Sequence, residues 1–167
     1  MVANIQRILK HLLSLPGQVT RRFSPATLDK IEQAIHASEA THRGEIRFAV
    51  EGDLDGAPLF KGQSARERAV DLFSQLRVWD TADNTGVLIY LLLADHAVEI
   101  VADRGIQAMV GPQEWRAVCE QMEAAFRRSD FEGGVLNGVA AVSQHLAKHF
   151  PANGPRANEL PNQAVVL

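Results

Sequence analysis

Apolar residues recur along the chain with two periods, one typical of helices and one typical of strands. Near the start, five aliphatic residues follow the spacing of one face of an amphipathic helix, and basic or polar residues fall between them: Ile5, Ile8, Leu9, Leu12 and Leu13. This pattern predicts a helix over residues 4–15 with one apolar face and one basic face. Pro16 and Gly17 are expected to end it.

Four later helices are predicted from their capping residues. Ser24 stands directly before Pro25, the preferred order at a helix start, and Ser64 with Glu67 forms a capping-box pair. The two last helices are expected to begin at Gly111-Pro112 and at Asp130. Each of these segments carries apolar residues at helical spacing, so each helix is expected to pack one face on a core.

Three strands are predicted between these helices. Residues 45–50 alternate between polar and apolar, residues 85–94 are almost continuously apolar, and residues 96–102 follow after a short turn at Asp95-His96. The crossover makes the first two strands parallel, and the turn makes the third antiparallel to the second. The predicted fold is a three-layer α/β/α sandwich with a mixed central sheet containing a β-hairpin, plus the N-terminal amphipathic helix. Its expected core includes Phe48, Val50, Phe73, Val87, Ile89, Leu91, Ile100, Val118 and Val139.

The chain length and the positions where the apolar periodicity stops predict one domain with two flanking segments. The chain has 167 residues, which is an ordinary size for a single core. We assign residues 1–23 to the amphipathic helix and a linker, and residues 24–150 to the domain. Residues 151–167 form a tail with three prolines and no period, which is expected to be extended. Its apolar end, residues 165–167, could dock in a groove.

The composition and the absence of certain motifs exclude several classes of function. A net charge of -3 and a pI near 6.1 do not fit a nucleic-acid binder. The single Cys119 cannot form an internal disulfide, and no nucleotide-binding glycine loop is present, so no nucleotide cofactor is expected. Charged residues interrupt the first apolar segment, which therefore does not resemble a signal peptide, and no apolar run approaches the roughly 20 residues of a membrane span. These features predict a cytoplasmic protein, with peripheral attachment to a membrane as an option.

A polar cluster at one edge of the predicted sheet is the main candidate site. The stretch DTADNTG places Asp80, Asp83 and Asn84 directly before the most apolar strand. The predicted topology brings the starts of strands one and two to the same edge as the end of strand three. A divalent cation such as calcium could be held there, with Arg104 as an anion contact, by Glu45, Asp80, Asp83, Asn84 and Asp103. The spacing is not that of an EF-hand, and ordinary turn chemistry is the alternative reading.

The order of several motifs resembles one known family. GEI opens the first strand; W-D-x-x-x-N-x-G-V-L-I-Y-L-L-L-A leads into the second; V-E-I-V-A-D-R-G-I ends the third; and F-x-x-x-D-F-x-x-G-x-x-x-G lies in the last helices. Over about residues 24–150 this succession resembles the TPM domain. The resemblance implies an α/β sandwich, and it maps the family's site motifs onto Asp83, Asn84 and Gly86 and onto residues 103–105. Acid phosphatase activity and calcium binding are associated with some members, whereas others look like non-catalytic accessory proteins. The glutamate common in the family after the third strand is missing here.

Two functions therefore remain open. The first is a non-catalytic interaction or membrane-associated accessory module, in which residues 4–15 engage a protein partner, an anionic membrane surface or a second copy of the chain. The second is a calcium-binding protein with acid phosphatase activity, in which the cation polarises a phosphoryl oxygen.

Overall fold

The computed structural model describes residues 5–15 and 17–167, so the predicted positions Asn4 and Pro16 lie outside the described residues. The elements follow in this order: α1 (Ile5–Leu12), α2 (Gln18–Arg22), α3 (Pro25–Ser38), β1 (Glu45–Glu51), α4 (Gly56–Phe60), α5 (Ala65–Gln75), β2 (Gly86–Leu92), β3 (Ala97–Ala102), α6 (Arg104–Gln107), α7 (Pro112–Arg127), α8 (Phe131–His149) and β4 (Val165–Val166). The short helices α2, α4 and α6 were not predicted from the sequence. Helix α4 lies within the stretch between Gly52 and Gly62, where only a loop is expected.

The sheet is mixed, with the strand order β3-β2-β1-β4. Strands β1 and β2 are parallel, with Glu45 opposite Gly86, and β3 returns antiparallel beside β2. Both orientations confirm the predicted topology. The fourth strand comes from the apolar end of the tail, where Val165 and Val166 pair in parallel with Ala49 and Val50.

Helices cover both faces of this sheet. Ile46 and Phe48 of β1, together with alternate residues of β2, pack against α3, α7 and α8 in one cluster of buried side chains. Ala49 and the opposite residues of β2 pack against α4 and α5 in a second cluster. The alternation follows from the two-residue period of a strand. The chain is therefore the three-layer sandwich that the pattern predicts.

The predicted core is also confirmed. The central strand positions Ile89 and Leu91 are 0% and 1% exposed, so this strand is covered on both faces. Of the nine predicted core residues, Phe73 alone is only partly buried, and it packs at the margin of the second cluster.

The predicted caps explain where the helices start. The Ser24 side chain accepts a hydrogen bond from the Thr27 N–H, Ser64 and Glu67 form a complete capping box, and Asp130 accepts from the Gly133 N–H. These bonds satisfy backbone donors that the first turn of a helix leaves unpaired. Across the described part of the chain, no helix is long and apolar enough to cross a membrane.

Candidate functional site

Two loops meet at the edge where β1 and β2 begin. The carbonyl of Asn84 accepts hydrogen bonds from the N–H groups of Gly105 and Ile106, at 2.9 and 3.3 Å. Asn84 has a φ of 52°, a left-handed conformation that asparagine tolerates better than most residues. A Cβ atom on Gly105 would lie 2.5 Å from the carbonyl oxygens of both Asp83 and Asn84, so only glycine permits this approach. The DTADNTG loop thus lies beside the turn after β3, where the N–H of Asp103 donates to the carbonyl of Gly86.

Asp83 is held by two arginines. Its Oδ2 atom lies 2.9 Å from Nη1 of Arg43 and 3.2 Å from Nη1 of Arg156. Arg156 belongs to the tail, so this carboxylate joins the DTADNTG loop to the segment before β1 and to the tail. The two arginines neutralise the charge of Asp83 within the protein itself.

Glu45, the first residue of β1, lies under the tail and is only 4% exposed. Its carboxylate accepts hydrogen bonds from the N–H groups of Glu159 and Leu160, at 3.1 and 3.4 Å. Burial raises the pKa of Glu45, and the hydrogen bond from Leu160 opposes that shift. In this structure Glu45 therefore serves to fix the tail across the start of the sheet.

Among the described residues, the side chains of the other predicted site residues, Asp80, Asp103 and Arg104, form no hydrogen bond or ion pair with Asp83 or Glu45. Asp80 pairs with Arg77 on the exposed surface at 2.6 Å. Asp103 caps α6 by accepting from the N–H of Arg104, whose side chain is exposed. Among residues 5–15 and 17–167, no three His, Cys, Asp or Glu side chains are grouped so that they could hold a metal ion. The cation site remains a prediction, and nothing in the geometry adds a ligand to it.

A cavity of about 380 Å³ beside this contact contains residues that the sequence analysis missed. Helix α3 supplies Glu39 from just beyond its last turn, the following segment supplies His42 and Arg43, and the tail supplies Arg156. Asn162, also from the tail, donates to Glu39 at 2.9 Å. Burial raises the pKa of Glu39 to about 7, the hydrogen bond from Asn162 opposes the shift, and the charge of Glu45 adds to it. The only indication of this cavity in the sequence was that Glu39, His42 and Glu45 lie within seven positions of one another.

We expect Glu39 to make the protein less stable as the pH rises. Its pKa is raised in the folded protein, so its contribution is fully present below the ordinary value of 4.5 and is lost as the pH approaches 7. Replacing Glu39 by Gln, which resembles the protonated acid, should therefore raise the free energy of unfolding at pH 8 by about 1–2 kcal/mol, after allowance for solvent screening. Urea unfolding at pH 5 and at pH 8 measures this difference.

The matched control is Glu32→Gln on the same helix, outside the cavity. It should leave the pH dependence of unfolding unchanged. The same change in stability between pH 5 and pH 8 in the Glu39→Gln variant and in the unsubstituted protein would contradict the assignment.

A second feature lies at the other end of the sheet, where α1 is attached by its polar face. Arg7 binds Asp95 through two nitrogen atoms, at 2.9 and 2.7 Å. His11 is 2% exposed; its Nδ1 accepts from the Leu54 N–H at 2.8 Å, and its Nε2 therefore donates to Asp95 at 3.0 Å. Burial disfavours the charged form of Asp95, but the bonds from Arg7 and His11 outweigh it and lower its pKa.

The apolar face of α1 consequently points away from the domain. Five aliphatic residues, termed here the α1 stripe, are 50–76% exposed: Ile5, Leu9, Leu12, Leu13 and Leu15. Ile8, on the side near His11, is the one aliphatic residue of the helix that packs against the core. Contiguous apolar surface of this kind is uncommon on a soluble monomer and marks an interaction site.

The layered sheet and its polar edge define an α/β domain of a known type. The TPM domain matches residues 19–145, which is well over half of the chain, and the protein belongs to this family. A comparison with the curated proteins gives no match.

Solved structures share the fold. The NMR structure of the BA42 protein from the psychrophilic bacterium Bizionia argentinensis is 28% identical, with a TM-score of 0.75 over 86% of this chain and 94% of that one. The N-terminal domain of a protein from P. gingivalis is 20% identical, with a TM-score of 0.60 over 78% of this chain and 82% of that one, and it indicates the fold alone.

Proposed function

We propose that this TPM-domain protein is a non-catalytic accessory module that binds an anionic membrane surface through α1. The observation that carries the proposal is the reversed attachment of this helix. Arg7 and His11, which an amphipathic helix would ordinarily turn to solvent, face the domain, and the α1 stripe faces out. A helix attached in this way presents its apolar face to another surface.

The charges around the stripe favour a lipid surface. A hollow of about 380 Å³ is lined by Leu13 and Leu15 and by four basic side chains, those of Lys10, Arg21, Arg22 and His96. None of the described residues that line it is acidic. Lys10 and Arg21 are exposed and form no ion pair with any residue that the structure describes. The chain as a whole carries a net charge of -3, so this cluster is a local feature.

A second copy of the chain is a poorer occupant of the same surface. A two-fold interface places the same patch on both sides, so the basic residues of both copies would approach one another around the stripe. The repulsion between these positive charges opposes association of two copies. Anionic headgroups instead attract each basic residue by about 1 kcal/mol, while the stripe enters the boundary of the acyl region.

The test is co-sedimentation of the full chain with phosphatidylcholine vesicles, with and without phosphatidylglycerol. We expect binding to the anionic vesicles, weakened by salt because the attraction is screened. Changing Leu9, Leu12 and Leu13 together to Ser should weaken binding at least tenfold, since each residue loses apolar surface that the membrane would bury. Because these side chains are exposed, the variant should unfold at the same urea concentration as the unsubstituted protein.

The matched control changes Phe60 and Val70 to Ser, because both are exposed apolar residues outside α1. It should bind vesicles normally. Absence of sedimentation with anionic vesicles would overturn the proposal. A dimeric solution mass that becomes monomeric in the triple variant would identify a second copy as the occupant instead.

Calcium binding with acid phosphatase activity is the alternative proposal. Its support is the contact between the DTADNTG loop and the turn after β3, where the Asn84 carbonyl accepts from the N–H of Gly105. If calcium binds there, it should raise the melting temperature, because a ligand that binds only the folded state stabilises it. Asp83→Ala should abolish that effect, and Asp80→Ala, on the exposed surface, serves as the control. A calcium effect that persists in Asp83→Ala would exclude this site.

A further inference from the structure

A small apolar pocket lies at the carboxyl end of β2, at the other end of the sheet from the DTADNTG loop. Its apolar walls come from the end of β2, from α7 and from α8, and they are formed by Leu91, Leu92, Leu93, Phe126 and Phe131. The two phenylalanine rings are stacked with their centroids 5.2 Å apart, and both side chains are only partly buried. Because β1 and β2 are parallel, this is the edge at which open α/β sheets usually bind ligands.

The size of the pocket limits what it can hold. Its volume is about 190 Å³. An apolar cavity of about 150 Å³ takes up a molecule the size of benzene, so the apolar part of a ligand here is about one aromatic ring or a chain of about six carbon atoms. The acyl chain of a membrane phospholipid is too long for this volume. A small molecule from solution therefore fits the pocket better than a lipid does.

Two arginines line the same pocket beside its aromatic wall. The guanidinium of Arg22 lies over the Phe131 ring, 5.2 Å from its centroid, and Nη1 donates to Gln18 at 2.6 Å. These contacts hold the positive charge of Arg22 next to the apolar surface. Arg127, the exposed last residue of α7, forms no side-chain hydrogen bond or ion pair with any residue that the structure describes. Its donors are available to a ligand.

The charges around the pocket favour an anion. The arginines and His96 line it together with Glu123, which is the one acidic residue among the described lining residues. Oε1 of Glu123 accepts a hydrogen bond from the Val98 N–H at 3.2 Å, so this carboxylate is directed at β3. Guanidinium groups match the planar geometry of a carboxylate better than that of other anions without a fork of two oxygens. The pocket thus combines a small apolar volume with donors for one carboxylate.

We propose that this pocket binds a small apolar monocarboxylate, whose ring or short chain packs on Phe126 and Phe131 and whose carboxylate accepts hydrogen bonds from Arg22 and Arg127. An inorganic anion would leave the phenylalanine surface uncovered, and a cation would face both arginines. This inference goes beyond the membrane association proposed above and does not depend on it, because the ligand enters the pocket from solution.

The experiment is a titration of the full-length, ¹⁵N-labelled protein followed by its amide NMR signals. The probes are hexanoate and 3-phenylpropanoate, which remain monomeric at millimolar concentration, so a membrane surface plays no part in the result. We expect at least one of them to shift the signals of residues 91–97 and 122–131 saturably. Acetate has the carboxylate without the apolar part, and hexan-1-ol has the chain without the charge, so each should bind at least tenfold more weakly.

Changing Arg22 and Arg127 together to Gln is expected to weaken binding of the carboxylate at least tenfold, because both guanidinium groups are lost. The matched control changes their sequence neighbours Arg21 and Arg128 to Gln. It removes the same charge, but neither residue lines the pocket, so the affinity should be nearly unchanged. Arg127→Gln alone breaks no contact with a described residue, and it should still weaken binding at least threefold. This single variant decides the question if the double variant does not fold.

Three results would overturn the proposal. If neither carboxylate shifts these signals, the pocket does not bind this class of ligand. If hexan-1-ol binds as tightly as hexanoate, the arginines contribute nothing to recognition. If the control variant weakens binding as much as the Arg22 and Arg127 variant does, the effect is one of net charge and not of the pocket.

Discussion

Replacing Arg68 by Ala is expected to lower the free energy of unfolding by about 3 kcal/mol, because it leaves a buried carboxylate without its counter-ion. Glu51, at the end of β1, is 8% exposed and accepts two hydrogen bonds from Arg68, at 2.9 and 2.8 Å. It also accepts from the hydroxyl of the fully buried Tyr90 at 2.7 Å. The neutral hydroxyl of Tyr90 cannot balance the negative charge of Glu51 once Arg68 is removed. Urea unfolding at pH 7 measures the loss.

Two further variants distinguish this cause from a general loss of packing. Adding Glu51→Gln to Arg68→Ala should recover about 1–2 kcal/mol, since it removes the unpaired charge. Lys30→Ala breaks the surface pair with Glu132 and should leave the free energy of unfolding nearly unchanged, because solvent screens that pair. If the double variant is less stable than Arg68→Ala alone, the explanation through the charge of Glu51 is incorrect.

Gly86→Ala is expected to destabilise the protein by about 3 kcal/mol, because the start of the central strand has no room for a side chain. A Cβ atom at this position would lie 1.9 Å from the backbone carbonyl oxygen of Val78, and Val78 is itself fully buried. A backbone oxygen cannot rotate away as a side chain does. The strand or the preceding loop must therefore shift, and the shift would spread to Asn84 and its contact with Gly105.

The matched substitution is Gly52→Ala, at the far end of β1. There the nearest atoms to a Cβ lie 3.5 Å away, an ordinary contact, so the stability should change by less than about 0.5 kcal/mol. Thermal or urea unfolding of both variants makes the comparison. Equal stability of the two would show that the approach of Val78 to β2 is looser than described.

The local elements of this protein could be predicted from its sequence because their signals lie within a few residues. Ser24, Ser64 and Asp130 cap helices as predicted, since a cap bonds to the next turn of its own chain. The continuous apolar run of β2 likewise predicts a strand covered on both faces. The contact between the DTADNTG loop and the turn after β3 could also be predicted, because a crossover and a hairpin allow few strand arrangements.

The features around the candidate sites were decided by contacts between residues far apart in the chain. The periodicity of α1 defines two faces but does not say which one is buried; that choice depends on Asp95, which lies 88 residues after Arg7. The tail lacks any period, and distant partners make it part of the sheet edge: Val165 and Val166 pair with β1, and Glu45 accepts from the backbone N–H groups of Glu159 and Leu160. The cavity at Glu39 exists only once the tail covers it. The spacing of apolar residues shows which positions within one helix or strand share a face. It does not show which distant residues that face contacts, and the orientation of α1, the course of the tail and the cavity at Glu39 all depend on such contacts.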